Sequence, residues 1–107
     1  MSGSIIQFRP TIGYDSEGLA VSNSVQVLSP SKYKEASTIG GASNALVTNY
    51  GAAIRYRYDG GTPTASVGHV LADGSSIVLS GQNQMAAFKC IRLSSTDSAI
   101  YVTYERE

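Results

Sequence analysis

The stretch Ile54-Arg55-Tyr56-Arg57-Tyr58-Asp59-Gly60-Gly61 constrains the fold more than any other part of the chain. Successive side chains of an extended strand point to opposite faces, so this alternation places Ile54, Tyr56 and Tyr58 on one side and Arg55 and Arg57 on the other. A half-buried antiparallel strand is predicted over Ala52 to Tyr58, with a core side and a wet or shared side. Asp59-Gly60-Gly61 then supplies the positive-φ positions of a turn, and Pro63 keeps Thr62 extended, which opens a short loop.

The remainder of the chain carries the same signature. Val, Ile, Thr and Tyr are abundant, eleven glycines punctuate the sequence, and almost no helix is predicted because no apolar stripe is sustained at helical spacing. Val67 to Ala72 and Ser75 to Ser80 read as strands joined by Asp73-Gly74, a dipeptide suited to the tight turn of a β-hairpin. Met85 to Leu93 and Ala99 to Tyr104 read as two more strands around the turn Ser94-Ser95-Thr96-Asp97, so the C-terminal half resembles a run of hairpins. In the N-terminal half, Ile5 to Phe8, Leu19 to Leu28 and Ala45 to Asn49 are the predicted strands. Turn-rich stretches separate them at Gly13 to Gly18 and Ser29 to Ser43, the second of which is a long loop or an arm. The expectation is one all-β domain over residues 1–107, an antiparallel two-sheet sandwich of jelly-roll type with about eight strands. Whether residues 1–50 contribute sandwich strands or an extended arm stays open at this point.

Length and charge narrow the function. A chain of 107 residues can bury roughly two-thirds of its unfolded surface around a single core. Only 15% of residues are charged, so much of the polar surface must be Ser, Thr, Asn, Gln and backbone, which suits a protein packed among neighbours. Lys plus Arg equal Asp plus Glu at eight each, giving no net field for nucleic acid or an acidic membrane. Cys90 is alone, so no intrachain disulfide forms, and synthesis in a reducing cytoplasm is expected. The N-terminal residues lack a basic region followed by an apolar one, and no apolar run reaches membrane-spanning length, so neither a signal peptide nor membrane insertion is expected.

Residues that could carry chemistry are few. His69 is the only histidine, too little for a metal-dependent cupin site and without an evident orienting carboxylate for a Ser/His/Asp arrangement. Cys90, between Lys89 and Ile91, fits a small core position better than a nucleophile. Asp59 and Asp73 each precede a glycine at a turn, which accounts for both. Phosphate-loop, dinucleotide and nucleophile-elbow patterns are missing, so no catalytic, cofactor-binding or metal-binding residue is predicted. The Arg-Tyr alternation invites a single-stranded nucleic-acid reading, yet its arginines and tyrosines fall on opposite faces and cannot serve one surface together. Arg55 and Arg57 are therefore assigned to a subunit contact. In a second reading the loop tyrosines Tyr14, Tyr33 and Tyr50 contact a glycan or receptor.

The segment from about Gly51 to Tyr104 resembles a family of small bacteriophage or prophage structural proteins. The resemblance rests on Ile54 to Thr64, on Gly68-His69, on the glycine-ended turn Asp73-Gly74 and on the closing Ala99-Ile100-Tyr101-Val102-Thr103-Tyr104. It implies a β-sandwich virion component such as a capsid decoration, head-fibre base or tail-associated protein, made in the bacterial host cytoplasm. It also implies a symmetric homo-oligomer, with a trimer favoured, and contacts with other virion proteins; no catalytic residue carries over.

Overall fold

The computed structural model describes residues 12–34 and 41–106. In chain order they form β1 (Ile12–Val21), β2 (Gln26–Val27), α1 (Pro30–Tyr33), β3 (Asn44–Asn49) and β4 (Ile54–Arg57). There follow β5 (His69–Leu71), β6 (Ser76–Ser80), α2 (Gln82–Ala87), β7 (Lys89–Arg92) and β8 (Ser98–Arg106). The predicted strand Ile5 to Phe8 and the middle of the predicted loop 29–43 lie outside the described residues.

The strands make two four-stranded antiparallel sheets, β1-β8-β3-β6 and β2-β7-β4-β5. Pairing is nested: β1 with β8, β2 with β7, β3 with β6 and β4 with β5, as though the chain were folded in half and the long hairpin rolled up. Rolling adds the β3–β8 and β4–β7 ladders, which complete the jelly-roll order of a closed two-layer sandwich. The all-β, two-sheet jelly-roll expectation holds. Within 1–50, the described residues supply β1, β2 and β3 to the sandwich.

Alternation places the core between the layers. Along β8, Ser98, Ile100, Val102 and Tyr104 are buried; along β3, Ala45, Val47 and Asn49 are buried. Leu28, Ile54, Leu79 and Phe88 join them, each at most 1% exposed. Full burial of one such side chain contributes about 1.5–3 kcal/mol.

Several local predictions are corrected. Asp73-Gly74 does not close a hairpin, because β5 and β6 belong to different sheets. Its polar groups turn instead to the neighbouring corner between β3 and β4: Gly74 N–H donates to Asn49 O (2.7 Å) and Gly51 N–H to Asp73 Oδ1 (3.1 Å). The strand partner of β6 is β3, whose buried Ala45 and Val47 stand opposite Leu79 and Ile77. The Ser94 to Asp97 turn likewise carries the chain from β7 in one sheet to β8 in the other.

Met85 does not begin a strand. Gln82–Ala87 is a short helix of mostly good helix formers, entered through Gly81 at φ 86°, and Gln84 Oε1 reaches back to accept from Ser80 N–H (2.8 Å). Met85 and Phe88, three apart, both reach the core, and the strand starts only at Lys89.

The Gly13 to Gly18 stretch is strand, not turn. It pairs with β8 almost throughout, with a bulge between Gly13 and Asp15, and Gly18 sits opposite Tyr101 with no side chain of its own to pack. β1 accordingly ends at Val21, short of the predicted Leu28, and the chain crosses to the two-residue β2.

Candidate functional site

Two surfaces stand out, one on each layer. The first is the outer face of β1-β8-β3-β6. The register aligns Ser16, Thr103, Leu46 and Val78 in one row across the sheet, and Gly18, Tyr101, Thr48 and Ser76 in the next. Neither row contains a charged side chain. Val78 is 59% exposed and Tyr101 47%.

The polar atoms on this face are paired sideways. Ser16 Oγ lies 2.7 Å from Tyr101 Oη, and Thr48 Oγ1 lies 2.7 Å from Ser76 Oγ. Covering such a surface removes Leu46, Val78 and the Tyr101 ring from water without stranding those hydroxyls, so its desolvation cost is low.

The second surface is a groove of about 480 Å³ at one end of the other sheet, lined by Arg57, Tyr58, Asp59, Val67, Gly68 and His69. Tyr56 stands between Cys90 on β7 and His69 on β5, so all three share the core-facing side of the sheet. Cys90 is fully buried there and Tyr56 half-buried, but His69 is exposed. An aromatic row extends out of the core: Phe88 to Tyr56 at 5.9 Å between ring centroids, then Tyr56 to Tyr58 at 6.4 Å. His69 lies 5.3 Å from the Tyr56 ring and 6.1 Å from that of Tyr58.

Two arginines build the walls. Arg55 Nε donates to Ala65 O (2.9 Å) and Nη1 to Gly68 O (2.8 Å), fastening the β4–β5 connection back onto β4. Arg57 grips Asp59 through both carboxylate oxygens, at 3.0 and 2.8 Å. That grip, with the Gly61 N–H second, holds the Asp59 carboxyl down at about 2. A Cβ at Gly61 would come within 2.3 Å of the Arg57 guanidinium, so a side chain there would displace the end of Arg57.

The sequence-predicted residues are thus dispersed. Arg55 and Arg57 make intrachain bonds on the second sheet. Tyr33 is corrected outright as a ligand-contacting loop residue: it is 3% exposed, on the one-turn α1, 6.4 Å from the Tyr104 ring. Tyr14 is half-buried in the bulge of β1, its hydroxyl donating to Lys32 O (2.8 Å) and its ring 4.7 Å beneath the Arg106 guanidinium. Tyr50, 62% exposed at the β3–β4 corner, bonds Ala99 at the opposite end of β8, so at strand spacing about 17 Å separates it from Tyr14. The three tyrosines do not form one site.

His69 and Cys90 are kept apart by β4, about 10 Å at the usual strand spacing. Burial also pushes the Cys90 thiol up to about 12, so it is not a thiolate at neutral pH. Among the described residues no group of three or more His, Cys, Asp or Glu could hold a metal ion, and no helix is long and apolar enough to cross a membrane. No protein-family model, curated protein or solved structure compared with the chain matches it.

Proposed function

We propose that the chain is a non-enzymatic structural subunit of a phage or prophage particle, which self-associates through the outer face of the β1-β8-β3-β6 sheet. The carrying observation is that face: uncharged across its centre, with Leu46 and Val78 side by side and hydroxyls paired within the sheet. Interface centres are depleted in charge and enriched in aromatic and apolar side chains, as here. Four strands about 4.8 Å apart and five residues deep give a footprint on the order of 19 by 17 Å, which suits the centre of an interface that covers about 800 Å² per partner. A chain with no net charge has little electrostatic repulsion to overcome when copies meet.

A face packed on its own copy makes a twofold, isologous contact. This favours an even-numbered assembly over the trimer implied by the family resemblance. Placement in a virion rests on that resemblance over Gly51 to Tyr104, and its test is mass spectrometry of purified particles from a host carrying the gene. Presence in stoichiometric copies supports the proposal; a protein confined to the soluble lysate contradicts it.

A further inference from the structure

The groove beside Tyr58 lies on the other sheet from the assembly face and calls for a different occupant. Its floor is aromatic and its rim is polar. Tyr58 is 43% exposed, Val67 50%, and among the described residues neither the Tyr56 and Tyr58 hydroxyls nor the His69 ring nitrogens hydrogen-bond within the chain. A ligand seated there meets π surface together with groups that both donate and accept hydrogen bonds. The cavity, about 480 Å³, lies in the range of small-molecule sites.

The charges choose among ligands. Arg57 is neutralised by Asp59, so the groove has little attraction for a phosphate or carboxylate. Asp59 is not exhausted by that pairing: Oδ1 accepts from Arg57 Nε and from Gly61 N–H, while Oδ2 accepts only from Arg57 Nη2. One Oδ2 lone pair remains, on a carboxylate that stays ionised and fixed in place. An oriented acceptor beside aromatic rings matches a molecule with an apolar C–H face and hydroxyl groups.

The groove is also built before any ligand arrives. Arg55 pins Ala65 and Gly68, Thr64 and Val67 bond each other's backbones at 3.0 and 3.3 Å, and Pro63 is buried beneath. Gly68, at φ 133°, passes so close to Tyr56 O that a Cβ would sit 3.0 Å from it. A wall fixed in this way spares the ligand an ordering cost.

We propose that this groove is a saccharide-binding site for one or two neutral sugar rings, which lie against Tyr58 and hydrogen-bond to Asp59 Oδ2 and His69. It is independent of the assembly face, so either can fail without the other. The test is titration of the full chain, followed by ¹⁵N-HSQC spectra, with neutral monosaccharides and disaccharides of glucose, galactose, mannose and N-acetylglucosamine. Nucleoside monophosphates and sialylated sugars form a second arm. The expected result is saturable shifts confined to residues 56–69 for at least one neutral sugar, weakened tenfold or more by Tyr58→Ala and by Asp59→Asn and unchanged by Val78→Lys. Tyr58 and Asp59 are exposed, and dispersed spectra of both variants would verify that they fold. No shift with any neutral sugar at tens of millimolar, tighter binding of the anionic arm, or equal binding by Tyr58→Ala would overturn the proposal.

Discussion

Ser98 Oγ donates a hydrogen bond to Asn49 Oδ1 across 2.6 Å in the dry interior, joining the last residue of β3 to the first of β8. Asn49 Nδ2 donates to Ala52 O (3.0 Å) and Leu71 O (2.9 Å), so one side chain ties the β3–β4 corner to the end of β5 as well. Asn49→Leu keeps the volume but strands the Ser98 hydroxyl and the Leu71 carbonyl. A loss of about 2–4 kcal/mol is expected in urea denaturation, against about 1 kcal/mol for Ser98→Ala.

Gly51 sits beside that knot at φ 146°, and a Cβ there would approach Ser98 Oγ to 2.8 Å. Gly51→Ala should therefore cost about 1–3 kcal/mol. Gly60→Ala, which has a positive φ but open space around it, should cost less. The difference between the two melting curves measures the steric part.

The Arg57–Asp59 pair gives a pH signature with a fixed sign. The Asp59 carboxyl is lowered from its ordinary 3.8 to about 2, so the pairing contributes to stability above the ordinary value and is lost as pH falls through the lower one. A ¹³C carboxyl titration by NMR should find Asp59 protonating near pH 2 in the native chain. In Arg57→Gln it should return toward the ordinary carboxylate range. Because the pair lies at the surface, the accompanying change in overall stability is small and weakens with salt.

Cys90 is buried, and its thiol is pushed up to about 12 by desolvation. Native protein should leave Ellman's reagent unreacted, and the thiol should react at once in urea. Cys90→Ala should cost stability through the lost packing, about 1–2 kcal/mol, without altering assembly or ligand binding.

Local periodicity made β3, β4, β6 and most of β8 legible in the sequence, because one buried face writes a period of two into the residues. The path between layers was not legible. Asp73-Gly74 has the chemistry of a tight turn whether the next strand pairs with the last or crosses to the other sheet, and the choice is made by β3, some thirty residues earlier. β1 was hidden for a similar reason: Gly13 and Gly18 read as turn residues until Glu105 and Tyr101 of β8 are placed opposite them. The helix at Gln82 could have been found from the Met85–Phe88 spacing among good helix formers. For the candidate surfaces, the parity of Tyr56 and Tyr58 was correct. That the row emerges from the core, and that His69 lies beside it, depends on registers of distant strands. The uncharged rows of the assembly face likewise exist only once four strands are aligned.

The most direct test of the assembly face is light scattering coupled to size-exclusion chromatography, on the native chain and on Val78→Lys, over a concentration series. Val78 is 59% exposed on the edge strand β6, and Leu46 stands opposite it, so the variant places a charge beside the apolar pair of the face without disturbing the core. An even-numbered oligomer is expected for the native chain and a folded monomer for Val78→Lys. A native chain that stays monomeric at high concentration, or a variant that assembles as the native chain does, would contradict it.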